Sequence, residues 1–172
     1  MKLYFSQQYI SNFSDFININ GKNLKNLNVG GYTDGSLRDL FQSIAQNCKN
    51  LKDLSILYED ELDQELMEVL NNCIKLKSIR LDKFFVNTLD CDKILTALNG
   101  TLPGNLKSIT FACKVYNISN HSLDILMKNW RGPKPLTIGF DNYNKYEILL
   151  ENDGKKILEK YQDLGFLIFN NI

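Results

Sequence analysis

The chain has 172 residues, of which 44% are hydrophobic and 23% are charged, an ordinary composition for a folded globular domain. Lysine plus arginine and aspartate plus glutamate each number 20, so the formal net charge is zero. A neutral chain has no overall excess of cations with which to bind a nucleic acid or an anionic membrane. We therefore expect neither kind of partner.

The opening segment has no uninterrupted apolar run of the kind found in secretory signals, and no stretch reaches the roughly 20 apolar residues of a membrane helix. The four cysteines, Cys48, Cys73, Cys91 and Cys113, form no Cys-x-x-Cys pair. Buried, reduced thiols are the expected state of such cysteines, and this indicates a cytoplasmic or nuclear location.

An apolar triplet with the spacing apolar-x-x-apolar-x-apolar recurs along the chain at intervals of 24 to 30 residues. The copies are a half copy at Leu3/Phe5, then Leu24/Leu27/Val29, Leu51/Leu54/Ile56, Leu76/Ile79/Leu81, Leu106/Ile109/Phe111, a degenerate copy at Pro135/Ile138/Phe140, and Leu164/Leu167/Phe169. Self-similarity at such a period is the sequence signature of a repeat architecture. We expect each triplet to form a short strand with its apolar residues pointing inward.

The segments between the triplets carry the i, i+3, i+4, i+7 spacing of amphipathic helices. Leu37, Leu40, Phe41, Ile44 and Ala45 precede Cys48, and Leu62, Glu65, Leu66, Val69 and Leu70 stand at the same offsets before Cys73. Only Glu65 breaks the match. Further helices are predicted over about 89–98, 122–130 and 154–161. Stacked strand–helix units would bury one continuous core between a parallel sheet and a row of helices.

A lysine follows the first apolar residue in four consecutive copies, at Lys25, Lys52, Lys77 and Lys107. If the strands stack, these four ammonium groups fall in a column. The sequence leaves two interpretations open, a basic stripe that binds an anion or a set of ordinary surface lysines.

The segment Cys48–Ile56 and its near copy Cys73–Leu81 read Cys-x-x-Leu-x-x-Leu/Ile-x-Ile/Leu. This motif resembles the cysteine-containing leucine-rich repeat of F-box/leucine-rich-repeat proteins, the substrate receptors of SCF ubiquitin ligases. The resemblance implies an α/β horseshoe solenoid with a concave parallel sheet of six to seven short strands and helices on the convex side. It further implies a single domain over 1–172, as a fragment of a longer solenoid. No segment resembles the F-box itself, so direct binding to the SCF adaptor is not expected.

The sequence predicts a binding protein, because the residue patterns of catalysis are missing. It contains no phosphate-loop, dinucleotide, zinc-protease or serine-nucleophile motif, and its one histidine, His121, is expected at an exposed helix start. We therefore expect no enzymatic activity, cofactor or metal. Neighbours of inward strand residues point outward, where such solenoids bind proteins. The candidate protein-binding residues are Asn26, Asn28, Asp53, Ser55, Ser78, Arg80, Ser108 and Thr110.

The leading hypothesis is a protein-interaction module derived from the substrate-recognition region of an SCF-type receptor, its partner a ubiquitination substrate. The alternatives are a leucine-rich-repeat regulator of a small GTPase, a truncated product without selected function, and a secreted recognition domain, the last suggested only by four Asn-x-Ser/Thr sequons. Arg80 is the expected binding anchor, with little role in folding. Uncapped ends of the sheet predict self-association.

Overall fold

The computed structural model describes residues 4–5, 11–30, 37–59, 61–83, 89–99, 103–112, 116–130, 133, 135–141, 148–150 and 154–171. The described strands are β1 (Tyr4–Phe5), β2 (Asn26–Val29), β3 (Asp53–Leu57), β4 (Ser78–Asp82), β5 (Leu89–Asp90), β6 (Ser108–Ala112), β7 (Tyr116–Ile118), β8 (Leu136–Asp141), β9 (Ile148–Leu150) and β10 (Leu167–Asn171). The helices are α1 (Ser11–Asn20), α2 (Leu37–Asn47), α3 (Asp63–Asn72), α4 (Cys91–Leu98), α5 (Asn120–Asn129) and α6 (Gly154–Asp163), with a 3-10 turn at Gly21–Asn23.

Seven strands form one parallel sheet in the order β1-β2-β3-β4-β6-β8-β10. Leu54 of β3 is in register with Leu27 of β2 and with Ile79 of β4, so the middle residues of successive triplets stand side by side. A helix separates each strand of this sheet from the next. The predicted α/β class and the parallel sheet alternating with helices are therefore confirmed.

The core lies between this sheet and the helices. In β3, β4 and β6 burial alternates over the first four residues, with the second and third apolar residues of the triplet inside and the residue before each of them partly exposed. The fifth residue of each strand is buried as well. On the helix side, Leu40, Phe41 and Ile44 of α2 are completely buried. This alternation is the signature of a strand with one face on a core.

The predicted burial is wrong at two positions of the later triplets. Pro135 is exposed and its neighbour Leu136 is buried, so only the first apolar position of the degenerate copy moves by one residue, while Ile138 and Phe140 are buried and in register as predicted. Leu164 is 58% exposed because it lies in the turn after α6. Gly165 there has a positive φ of 69°, a conformation that glycine adopts without steric cost, and Phe166 packs edge-on against Tyr161 in place of the leucine.

The segments that link each helix to the next strand are held together by a backbone ladder. Lys52 N–H donates to the Lys25 carbonyl at 2.7 Å, and the same bond joins Lys77 to Lys52 and Lys107 to Lys77. The four predicted lysines are therefore aligned in a column.

Two elements were not predicted. A second parallel sheet, in the order β5-β7-β9, lies where the chain enters α4, α5 and α6. Helix α1 precedes the first full triplet and contributes Phe13 and Ile17 to the core. The half copy's Leu3 and the fourth cysteine, Cys113, lie outside the described residues. None of the helices in the described part of the chain combines the length and the apolar character needed to cross a membrane.

Candidate binding surface

The face of the main sheet opposite the helices carries the candidate binding residues, and all eight are partly exposed: Asn26, Asn28, Asp53, Ser55, Ser78, Arg80, Ser108 and Thr110. The parallel register arranges them in two rows. The first row is Asn26, Asp53, Ser78 and Ser108, and the second is Asn28, Ser55, Arg80 and Thr110. The structure thus brings together residues that are up to 84 positions apart in the sequence, as the repeat predicted.

Arg80 stands in the second row beside an acidic residue that the sequence analysis missed. Its Nε donates to Asp82 Oδ1 at 2.9 Å, and Ser55 Oγ donates to the other carboxylate oxygen at 3.1 Å. Asp82 lies at the end of β4, two residues beyond Arg80, and is buried. The alternation of inward and outward residues, extended by one residue beyond the apolar triplet, would have predicted that Asp82 points outward.

This contact argues against the expectation that Arg80 contributes little to folding. A buried carboxylate loses a charge-assisted hydrogen bond if the guanidinium is removed, and such losses cost about 1–3 kcal/mol. The Asp82 carboxylate also holds the guanidinium in one place above the sheet.

The flanks of the same face are also ordered by local contacts. Asn26 Nδ2 donates a hydrogen bond to Asp53 in the first row. At the other side, a Cβ added to Gly139 of β8 would approach Thr110 Oγ1 to 3.2 Å, so the threonine hydroxyl lies directly over the glycine. Local contacts therefore hold amide, hydroxyl and charged groups in place on this face of the sheet.

An open concavity of about 310 Å³ lies on this face. Seven of the eight candidate residues line it, namely Asn26, Asn28, Asp53, Ser55, Ser78, Arg80 and Thr110, together with Leu27 and Leu54 of the strands beneath. Ser108 does not line it. The volume is at the lower end of the roughly 300–1,000 Å³ of small-molecule sites, and most of the lining side chains are polar.

No protein-family model matches the chain, and no curated protein matches it either. Inference about its function therefore rests on the geometry of this surface.

The described residues hold no cluster of three or more His, Cys, Asp or Glu side chains that would coordinate a metal ion. His121, the histidine of the chain, is exposed near the start of α5. The concavity contains one guanidinium, one paired carboxylate, amides and hydroxyls. Such groups recognise a polypeptide by hydrogen bonds to its backbone and by pairing with its charged side chains.

Proposed function

We propose that the chain is a protein-interaction module that binds a partner polypeptide on the polar face of its main sheet. The single observation that carries this proposal is the concavity over β2, β3, β4 and β6, lined by the outward residues of four consecutive repeats. Parallel strands in chain order, with a helix between each strand of the main sheet and the next, support the interpretation of the chain as a leucine-rich-repeat solenoid with this face on its concave side.

The chemistry of the face suits a polar partner segment. Arg80 is the anchor, because an arginine held in place and partly exposed is a frequent binding hot spot and engages carboxylates in two places. Asn28, Ser55 and Thr110 flank it in the same row and supply donors and acceptors for a backbone. The cysteine-containing repeat motif favours, as the origin of this module, the substrate-recognition region of an SCF-type ubiquitin ligase receptor.

Affinity capture from cells that express the chain tests this proposal when it is combined with a matched pair of substitutions. Ser78→Arg places a long cationic side chain in the centre of the concavity. Gln42→Arg adds the same side chain on the exposed surface of α2, away from the sheet. We expect proteins recovered with the wild type and with Gln42→Arg to be lost with Ser78→Arg.

Affinity for a captured partner is then measured with Arg80→Ala. We expect binding weaker by roughly 1–2 kcal/mol, or about 5- to 30-fold. Recovery of the SCF adaptor and cullin would support the ubiquitin-ligase origin, whereas recovery of a small GTPase would support the regulatory alternative. If Ser78→Arg retains every partner of the wild type, the interface is not on this face.

A further inference from the structure

Seven lysines lie at the edge of the main sheet where helices end and strands begin, and we call this surface the lysine edge. They are Lys22, Lys25, Lys49, Lys52, Lys75, Lys77 and Lys107. The four segments that carry them, 21–25, 48–52, 73–77 and 103–107, contain no aspartate and no glutamate. Within the described part of the chain, none of the seven forms an ion pair with a carboxylate.

The lysine edge is held in a fixed arrangement by hydrogen bonds between consecutive segments. Asn50 Nδ2 donates to the Lys22 carbonyl at 2.8 Å, and Lys75 Nζ donates to Asn50 Oδ1 at 2.7 Å. Asn105 Nδ2 donates to the Ile74 carbonyl at 3.1 Å. Because neighbouring strands are about 4.8 Å apart, the positive potentials of the column add over a short distance.

Exposed apolar side chains lie on the same edge. Ile74, in the third segment, is 61% exposed and has lysines two residues apart directly after it, at Lys75 and Lys77. Leu164 occupies the turn that leads into β10, and Ile19 lies in the last turn of α1. These three are among the four large apolar side chains that are exposed in the described residues. Protruding aliphatic residues among lysines are typical of surfaces that enter the interfacial region of a bilayer.

The opposite edge of the sheet carries acidic groups. Glu59 and Glu61 follow β3, Asp63 begins α3, and Asp92 lies in the first turn of α4. That edge also carries cations, since Lys83 follows β4 and Lys93 lies in the first turn of α4, whereas the four segments of the lysine edge contain no carboxylate. The expectation that the chain is not attracted to anionic membranes was drawn from the net charge of zero, which does not describe the local charge of the lysine edge.

We propose that the lysine edge docks the protein on the surface of an anionic lipid bilayer. The ammonium groups face the lipid phosphates and carboxylates, and Ile74 enters the boundary between headgroups and acyl chains. The four segments contain no arginine that could form two hydrogen bonds with the edge of a base, and no aromatic ring that could stack on a base. Their composition therefore argues against a nucleic-acid partner. The lysine edge borders the concavity described above, because three of its lysines directly precede residues that line the concavity.

Vesicle co-sedimentation tests this proposal with the full chain. The probes are vesicles of phosphatidylcholine alone and vesicles with about 30% phosphatidylserine, at low and at near-physiological salt. We compare Lys52→Gln/Lys77→Gln, which removes two central charges of the lysine edge, with Lys93→Gln/Lys156→Gln, which removes two exposed charges of α4 and α6. Both variants change the net charge equally, and circular dichroism checks that each is folded.

We expect the wild type to bind the phosphatidylserine vesicles and not the neutral ones, and to dissociate as the salt concentration rises. Loss of the two edge lysines should weaken partition roughly 10- to 30-fold, and loss of the two helix lysines less than about 3-fold. Ile74→Ser should weaken partition several-fold while the salt dependence stays unchanged.

Three results would overturn the proposal. They are no binding to anionic vesicles at low salt, an equal loss in the two double variants, and tighter binding to a duplex DNA at the same phosphate concentration. The last result would assign the lysine edge to a nucleic acid. None of them bears on the sheet face, whose test uses captured proteins and Ser78→Arg.

Discussion

Replacing Glu65 by leucine should stabilise the protein. Glu65 of α3 is 4% exposed and occupies the position that Leu40 holds in the preceding helix, where the leucine is fully buried. One carboxylate oxygen accepts from Arg38 at 2.8 Å, whereas the other, Oε2, is buried and has no hydrogen-bond partner. Helix α3 thus holds a carboxylate in the core with one of its two oxygens lacking a hydrogen-bond partner.

The magnitude follows from three contributions. A buried polar atom without a partner costs about 1–3 kcal/mol, and this cost disappears with the carboxylate. Because the methylene groups of Glu65 are already buried, the leucine adds only about 1 kcal/mol of further apolar burial, less whatever strain its fit introduces. The lost ion pair offsets only about 0–1 kcal/mol, because the Arg38 side chain is 54% exposed and screened by water. We expect a net stabilisation of about 1–4 kcal/mol and a melting temperature higher by roughly 2–10 °C.

Thermal and urea unfolding of four variants measures this effect. Arg38→Ala should destabilise the wild type by about 1–3 kcal/mol, since it leaves the buried carboxylate without its cation. In the Glu65→Leu background the same substitution should change stability by less than about 0.5 kcal/mol. Leu40→Glu, which copies the carboxylate into α2, should destabilise by more than Glu65→Leu stabilises. The reasoning fails if Glu65→Leu lowers stability by more than about 1 kcal/mol, or if Arg38→Ala costs the same in both backgrounds.

The remaining predictions concern the core, the cysteines and the sheet edge. Leu54 is 1% exposed, so Leu54→Ala should destabilise by about 2–5 kcal/mol in urea unfolding, and an unchanged midpoint would contradict its place in the core. Burial raises the pKa of the Cys48 thiol to about 11 and that of Cys73 to about 12, so both should resist alkylation at pH 8 in the native state and react after unfolding. Rapid native alkylation or a bond between the two sulfurs would refute this expectation. Among the described strands, β10 (Leu167–Asn171) stands at one end of the sheet order, and we expect the 172-residue chain to self-associate through it in light scattering at high concentration, an expectation that a strict monomer would contradict.

The sequence determined the elements that depend on local periodicity. The apolar triplets placed β2, β3, β4 and β6 because inward and outward residues alternate in any strand that covers a core. Spacing of apolar residues placed α2 and α3 in the same way, and the shared offsets of Cys48 and Cys73 predicted two equivalent buried thiols. The register of the strands could also be predicted, because repeats that stack in chain order align equivalent residues. That register identified the eight outward positions.

The tertiary structure decided which polar groups meet and what surrounds them. Asp82 is outward by alternation yet buried, because residues from neighbouring repeats enclose it beside Arg80 and Ser55. Glu65 in the core is paired with Arg38, which lies 27 residues earlier on an adjacent helix. The net charge could not reveal the lysine edge, because a sum over the whole chain carries no information about where the charges lie. Stacking sends the helix-to-strand turns to one edge of the sheet, and that geometry brings together the seven lysines of four segments that contain no carboxylate.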